Sequence, residues 1–203
     1  MWLFMKKIFK TKIILITMFA VFYLSSCLLE SEFPLSDVDK GYNDKRLNGL
    51  WKFTNLEDDS EGGYVLILKT DDNIYHFIIF DKNYSIKSDG LYNGFVTKIG
   101  NESYLNVKVL NNSLKSYGNT KDNRYFFLGY KIEGGMLKMG LFDNNYVSEA
   151  IKDNKIKGEV DKVGNFETPI LTDSTKNLYV FVKNADKNRL ITSYNLVLEK
   201  NNL

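Results

Sequence analysis

The sequence predicts a mainly β fold: an antiparallel barrel of about eight strands with two short helices late in the chain. Short apolar runs recur from Asn48 onward, and many alternate with polar residues. Asn, Asp and Gly separate these runs, which is typical of tight turns between strands. The run at 73–80 is apolar on both faces, so one face points to an interior and the other must be covered by a helix, a loop or a partner. Closing the sheet into a barrel supplies that interior and removes unpaired edges.

The strands are predicted in chain order at 48–54, 63–70, 73–80, 91–99, 102–110, 125–133, 136–143 and 194–200. Asp71-Asp72, Gly100-Asn101 and Gly134-Gly135 are predicted as the turns that join neighbouring strands, and the glycine pair is a strong hairpin signal. The polar stretch 111–123 is predicted as a loop.

Two late segments have helical rather than strand spacing. Over 144–154, four apolar residues fall on one helical face, and Asp143 or Asn144 precedes them as an N-cap; they are Tyr146, Val147, Ala150 and Ile151. A second amphipathic pattern, with Leu178, Phe181 and Val182, follows the capping sequence Thr172-Asp173-Ser174. We therefore expect two short helices beside the sheet.

The start of the chain predicts export and lipidation. Four lysines between Lys6 and Lys12 precede an eleven-residue apolar run at 13–23, which is too short to span a bilayer well. Leu24-Ser25-Ser26-Cys27 then resembles a bacterial lipobox, whose cysteine is acylated and becomes the first mature residue. The resemblance implies a signal peptide at 1–26 and lipidation of Cys27. The polar, aperiodic sequence that follows predicts a lipidated flexible tether at 27–46, and the strand pattern predicts a barrel domain at 47–203.

The alternative for Cys27 is a chance cysteine in an ordinary signal peptide or membrane anchor. Against it, Cys27 is the sole cysteine of the chain and stands where the lipidation chemistry needs a thiol. Two or three acyl chains, palmitate among them, would hold the protein on a membrane durably. Since Leu28 rather than aspartate follows, we expect the outer membrane (periplasmic or surface face) in a Gram-negative cell, and otherwise the outer face of the plasma membrane.

Charge excludes one class of partner. The whole chain has a formal net charge of +2, but removing 26 of the 203 residues leaves 177 and takes away four lysines and no acid. The mature chain then has 23 basic and 25 acidic side chains, a net charge of −2. The basicity belongs to the export signal, so nothing in the charge indicates nucleic-acid binding. A single cysteine also excludes an intramolecular disulfide.

Asn48-Gly49-Leu50-Trp51 resembles the Gly-x-Trp motif of lipocalin-like barrels. The resemblance implies that Trp51 packs across the closed end of the barrel. The arginine that usually stacks on this tryptophan from the last strand has no counterpart in 194–200. The segments 125–130, 156–158 and 172–175 are similar to uncharacterised lipocalin-like bacterial lipoproteins, a family pattern that brings no catalytic residues with it.

Neither catalysis nor a metal or cofactor site is indicated. His76 is the only histidine, and the chain has neither a G-x-S-x-G motif nor a free thiol in the barrel domain to serve as a nucleophile. One imidazole is too few donors for zinc. The acidic cluster Glu57, Asp58, Asp59 and Glu61 is interpreted as solvated loop charge. The segment after Asp81 begins like a calcium loop, but Ile86 stands where that loop needs glycine.

Aromatic side chains are the remaining candidates for function. We predict that a small hydrophobic ligand in the barrel lumen would contact Trp51, Phe53, Tyr75, Phe77, Phe95, Phe127 and Tyr130. The same residues could instead fill the core, in which case the protein would act through its surface on a partner in the cell envelope. The sequence leaves both hypotheses open, a ligand carrier or sensor and an interaction or structural module.

Overall fold

A computed structural model describes residues 28–54, 63–70, 73–109, 124–163 and 166–201. The predicted signal peptide, Cys27, the Asp71-Asp72 turn and the loop at 111–123 lie outside the described residues. The strands of the described ranges, in chain order, are β1 (Glu30–Ser31), β2 (Gly49–Phe53), β3 (Tyr64–Lys69), β4 (Tyr75–Phe80), β5 (Ile86–Ile99), β6 (Glu102–Val109), β7 (Phe126–Glu133), β8 (Met136–Leu141), β9 (Gly158–Val163), β10 (Phe166–Leu171) and β11 (Leu196–Asn201).

Eight of these strands close into one antiparallel barrel, in the order β11-β2-β3-β4-β5-β6-β7-β8. The last strand, β11, completes the ring by pairing with β2 on one side and β8 on the other. The predicted mainly β fold with a closed eight-stranded barrel is confirmed. The turns at Gly100-Asn101 and Gly134-Gly135 also lie where the sequence predicts them, between β5 and β6 and between β7 and β8.

Both predicted helices are present, and each begins at a capping side chain. In α1 (Asn144–Lys152), the Asp143 carboxylate accepts a hydrogen bond from the Tyr146 N–H at 2.8 Å. In α2 (Thr175–Asn184), the Ser174 hydroxyl caps the first turn. A third helix, α3 (Lys187–Leu190), was not predicted; it is a single turn capped by Asp186. Within the described ranges, no helix has both the length and the apolar composition needed to cross a bilayer.

A second sheet, also not predicted, lies outside the barrel. It has the order β1-β10-β9, with β1 parallel and β9 antiparallel to the central β10. Ser31 joins this sheet to the barrel by a bridge to Tyr125, just before β7. The barrel is thus covered on one side by a small sheet and three helices.

The segment 28–46, predicted as a flexible tether, is instead packed against the barrel domain. Leu29 and Leu35 are buried, and the Leu35 N–H donates to Asn106 Oδ1 at 2.7 Å. The segment reads as polar because few of its residues are apolar, but two of those few, Leu29 and Leu35, are buried by the fold. Two short 3-10 turns, Val38–Lys40 and Lys45–Leu47, then lead to β2.

The apolar residues form two cores separated by the barrel wall. The inner core lies inside the barrel and includes Trp51, Ile67, Leu105, Leu137 and Leu198. The outer core lies between the barrel and the covering layer and includes Leu35, Tyr104, Phe127, Val147 and Leu178. Because successive side chains of a strand point to opposite faces, the strands that lie under the covering layer contribute to both cores.

Candidate functional site: the barrel interior and its mouth

The closed end of the barrel is built around Trp51. Its side chain is completely buried, and its Nε1 donates a 2.7 Å hydrogen bond to the carbonyl of Leu47, in the 3-10 turn that crosses this end. Lys200, its register partner on β11, places Nζ 5.3 Å from the centre of the Trp51 ring. This corrects the expectation that the last strand offers no counterpart to the stacking arginine, since a lysine does so here.

A buried polar network completes the closed end. Asp44 is 3% exposed and accepts two hydrogen bonds from the Arg46 guanidinium, at 2.8 and 2.7 Å, and one from the Tyr130 hydroxyl at 3.0 Å. The Tyr75 hydroxyl donates to the Asp44 carbonyl at 3.1 Å. Two of the predicted aromatic site residues, Tyr75 and Tyr130, therefore anchor the turn that seals the barrel.

The charges of this network agree with its geometry. Burial raises the pKa of the Asp44 carboxyl, but the hydrogen bonds from Arg46 and Tyr130 outweigh burial, so the pKa is lowered from its ordinary value. Burial, with the neighbouring Asp44 charge, raises the pKa of the Tyr130 phenol. Asp44 is consequently a carboxylate and Tyr130 a phenol at neutral pH, which is the pairing that the hydrogen bond requires.

The opposite end of the barrel, which we call the mouth, is lined differently. Strand alternation places seven apolar or aromatic residues on the inward face near this end: Phe53, Ile79, Tyr92, Phe126, Leu128, Leu141 and Leu196. All seven retain some exposure to solvent, and the values reach 45% for Leu141 and 40% for Leu196. The interior is therefore mostly buried at the Trp51 end, where Ile132 keeps partial exposure, and it is most exposed at the mouth.

Register pairs bring the mouth residues together. Leu128 faces Leu141 across β7 and β8, and Leu196 faces Met139 across β11 and β8. Tyr92 and Phe126 contact each other edge to face, with ring centroids 6.1 Å apart. The mouth is thus a ring of aliphatic and aromatic side chains, above the buried Tyr75, Phe77 and Leu137.

The structure separates the seven predicted ligand contacts into two groups. Trp51, Phe53, Tyr75, Phe77 and Tyr130 belong to the inner core or pack against it. Phe127 lies in the outer core instead, and Phe95 points to the same outer side, where it contacts Tyr125 edge to face. Successive residues of a strand face opposite sides, so the inward-facing residues are their neighbours in the sequence. These are Phe126, next to Phe127 in β7, and Val96, next to Phe95 in β5.

Six of the seven mouth residues were not among the predicted ligand contacts: Ile79, Tyr92, Phe126, Leu128, Leu141 and Leu196. Each belongs to a predicted strand, but choosing the inward set needs the register between strands, which the apolar residues on both faces of β7 conceal. Two of them, Leu128 and Phe126, could have been identified from the sequence, because they precede Tyr130 at the two-residue spacing of one strand face.

His76 lies on the outside of the barrel, since its neighbours Tyr75 and Phe77 point inward. Its cross-strand partners are Leu68 and Asn93, so it has no nucleophile beside it in the register. Among the described residues, no three histidine, cysteine or acidic side chains gather closely enough to hold a metal ion. The acidic cluster at 57–61 lies outside the described residues.

A row of half-buried aliphatic residues crosses the outer wall of the barrel, which we call the outer apolar row. Leu50 pairs with Leu66, Leu66 with Ile78 and Ile78 with Leu91, on four successive strands. Leu68 follows Leu66 by two residues on the same face of β3, and it is 45% exposed. The apolar second face that the sequence indicated for 73–80 is therefore part of a wider surface.

Comparison with known proteins finds no match to a family model, to a curated protein or to a solved structure.

Proposed function

We propose that this chain is a membrane-anchored bacterial lipoprotein that binds a small hydrophobic ligand in the mouth of its barrel and catalyses no reaction. The observation that carries the proposal is the strong exposure of two inward-facing leucines at the mouth. Leu141 and Leu196 point toward the barrel axis yet remain 45% and 40% exposed. Apolar surface that is concave and in contact with solvent is stabilised when an apolar ligand covers it.

The lining residues define the class of ligand. The mouth is formed by leucine, isoleucine and phenylalanine with the tyrosine Tyr92, and none of its seven residues carries a formal charge. An eight-stranded barrel has room for side chains or for one small ligand. We therefore expect an aliphatic or acyl-chain compound that enters by the mouth and ends above the layer of Tyr75 and Phe77.

The anchor is proposed from the lipobox-like residues 24–27 and the positively charged, apolar segment before them. Acylation of Cys27 would place the barrel in the cell envelope, at the outer membrane of a Gram-negative cell or outside the plasma membrane otherwise. Replacing Cys27 by alanine tests it: the variant should leave the membrane fraction and lose the lipid mass in intact-protein mass spectrometry. Unchanged fractionation and mass would refute the anchor.

Titration of the soluble form, residues 28–203, tests the ligand. Saturated fatty acids of increasing length are added while the displacement of a bound environment-sensitive dye, anilinonaphthalene sulfonate, is followed by fluorescence. Native mass spectrometry then counts the ligands bound. We expect one ligand per chain and an affinity that rises with chain length, because each buried CH₂ contributes about 0.8 kcal/mol. No displacement and no bound ligand at any length would refute the proposal.

The outer apolar row supports a second candidate, an interaction or structural module of the envelope with a filled barrel. Leu68, Leu66 and Ile78 offer an apolar patch that a protein partner would bury. A photo-crosslinking residue at position 68 in living cells should then capture one defined partner, whereas the same residue at Lys82, in an exposed turn, should not. Identical patterns at the two positions would count against this candidate.

A further inference from the structure

We infer that the acylated end of the chain holds the barrel domain directly against the bilayer, with the side that carries β1 facing the lipid headgroups. The inference rests on the proposed acylation of Cys27. It concerns a surface that we call the anchor-side face, which consists of the exposed side of residues 28–33, where β1 lies beside the buried strand β10. The partner of this surface is the headgroup region of a membrane.

The first step is the short reach of the chain. Leu29 is buried in the outer core, only two residues after the proposed attachment point. Two residues of extended chain span at most about 7 Å. The acyl-bearing residue therefore lies within about 7 Å of a position that belongs to the folded domain, and no slack segment separates the two.

The second step is that this position is held firmly. The N–H groups of Ser31 and Tyr125 each donate to the carbonyl of the other residue at 2.8 Å, and the Glu32 N–H donates to the Leu171 carbonyl at 2.9 Å. Farther along, the buried Leu35 donates to Asn106. Pulling the segment away from the barrel would break these bonds and expose Leu29 and Leu35, so a tether cannot form from it at low cost.

The third step is the chemistry of the anchor-side face. Glu30 forms a 2.6 Å ion pair with Arg124, and both side chains are mostly buried, so the carboxylate nearest the anchor is neutralised. Phe33, in contrast, is 44% exposed. The exposed carboxylate of this face is then that of Glu32, which points into solvent next to Phe33, and the exposed aromatic ring of Phe33 suits the interface between headgroups and acyl chains.

The order of strands in the barrel also identifies the side that faces away from the membrane. Ser31 bridges to the residue before β7, and β3 lies four strands away from β7 in the ring of eight. Leu68 on β3 consequently faces away from the bilayer. Phe33 and Leu68 are matched probes for the two sides, because their exposed fractions are 44% and 45%.

The experiment uses the full chain, acylated in cells, purified and reconstituted in phosphatidylcholine vesicles that contain a headgroup-linked quencher. With Cys27 acylated, a cysteine introduced as Phe33→Cys or Leu68→Cys is the only free thiol, and it is labelled with a fluorescent maleimide. We expect at least twofold stronger quenching at position 33 than at position 68. A Gly/Ser insert of about ten residues after Leu28, which adds about 17 Å of mean reach, should reduce that contrast.

The control places the same insert in the Gly100-Asn101 turn, where it lengthens the chain but not the anchor. This control should leave the contrast unchanged. Equal quenching at the two positions, or a contrast that survives the insert after Leu28, would overturn the inference while leaving the anchor intact. A chain that does not float with the vesicles would overturn the anchor itself, and the inference with it.

Discussion

Lys200 and Trp51 are cross-strand partners on β11 and β2, and the lysine ammonium lies 5.3 Å from the centre of the indole ring. The same ammonium lies 3.4 Å from the carbonyl of Arg46, in the turn that seals the barrel. One side chain thus connects the last strand, the first barrel strand and the closing turn. This end of the barrel is held closed by specific side-chain contacts, whereas the mouth is partly exposed to solvent.

Replacing Lys200 by methionine should lower the free energy of unfolding by about 0.5 to 1 kcal/mol, because the cation–π contact is lost while the apolar stem is kept. Lys200→Arg should retain most of the stability. Urea unfolding of residues 28–203 followed by Trp51 fluorescence measures both, since Trp51 is the only tryptophan of that range. Lys82→Met, in an exposed turn, is the control. Equal effects at positions 82 and 200 would contradict the prediction.

Replacing Asp44 by asparagine should cost about 2 kcal/mol of unfolding free energy, because the charged hydrogen bonds to Arg46 and Tyr130 are weakened in a buried site. Asp161→Asn, at an exposed position of β9, should change stability by less than about 0.5 kcal/mol. Chemical denaturation at pH 7 compares the two variants with the parent. A similar small effect at both positions would show that the network does not stabilise the closed end.

The stability of the closed end should also depend on pH in one direction. The pKa of Asp44 is lowered in the folded state, so its carboxylate stabilises the fold fully above the unfolded value of about 3.9. That contribution is lost as the pH falls through the lower folded pKa. The stability difference between the parent and Asp44→Asn should therefore be constant from about pH 5 to pH 7 and should shrink below about pH 4. A difference that grows on acidification would contradict this assignment.

Gly129 and Gly140 are register partners on the outer face of β7 and β8, beneath the segment that follows α3. A methyl group at Gly140 would overlap the Ser193 carbonyl, whereas one at Gly129 would overlap only Ile191 Cδ1. Each substitution by alanine should cost about 1 to 3 kcal/mol. Adding Ile191→Val, which removes Cδ1, should recover stability for Gly129→Ala but not for Gly140→Ala. Equal recovery in both backgrounds, measured by denaturation, would refute the packing argument.

The barrel was predictable because its turns and alternation are local signals. Gly134-Gly135 and the apolar run of β4 indicate hairpins and a two-sided strand without any knowledge of the fold. The second sheet gave no such signal. The central strand β10 contains Pro169, which has no backbone N–H to donate. The proline is tolerated because it lies just before Ile170 and Leu171, the two residues that pair with β1, so β1 needs no hydrogen bond from it.

The candidate site was only partly predictable for a related reason. Trp51 could be assigned to the interior from its Gly-x-Trp motif, whereas the run that contains Tyr75 and Phe77 is apolar on both faces and carries no signal of which face points inward. In β7, Phe126 and Phe127 are both aromatic, so composition alone does not say which one points inward. The register with β6 and β8, which is a long-range property, decides it.

The most direct test of the central claim compares two leucines with the same exposed fraction, 45%, on opposite faces of the barrel wall: Leu141 inside the mouth and Leu68 on the outer surface. Leu141→Gln and Leu68→Gln are titrated, in the soluble form, with the longest fatty acid that binds the parent. Binding in the mouth predicts that Leu141→Gln weakens the affinity about tenfold or more, roughly 1.4 kcal/mol, while Leu68→Gln stays within about twofold. Equal affinities for the two variants would contradict the account.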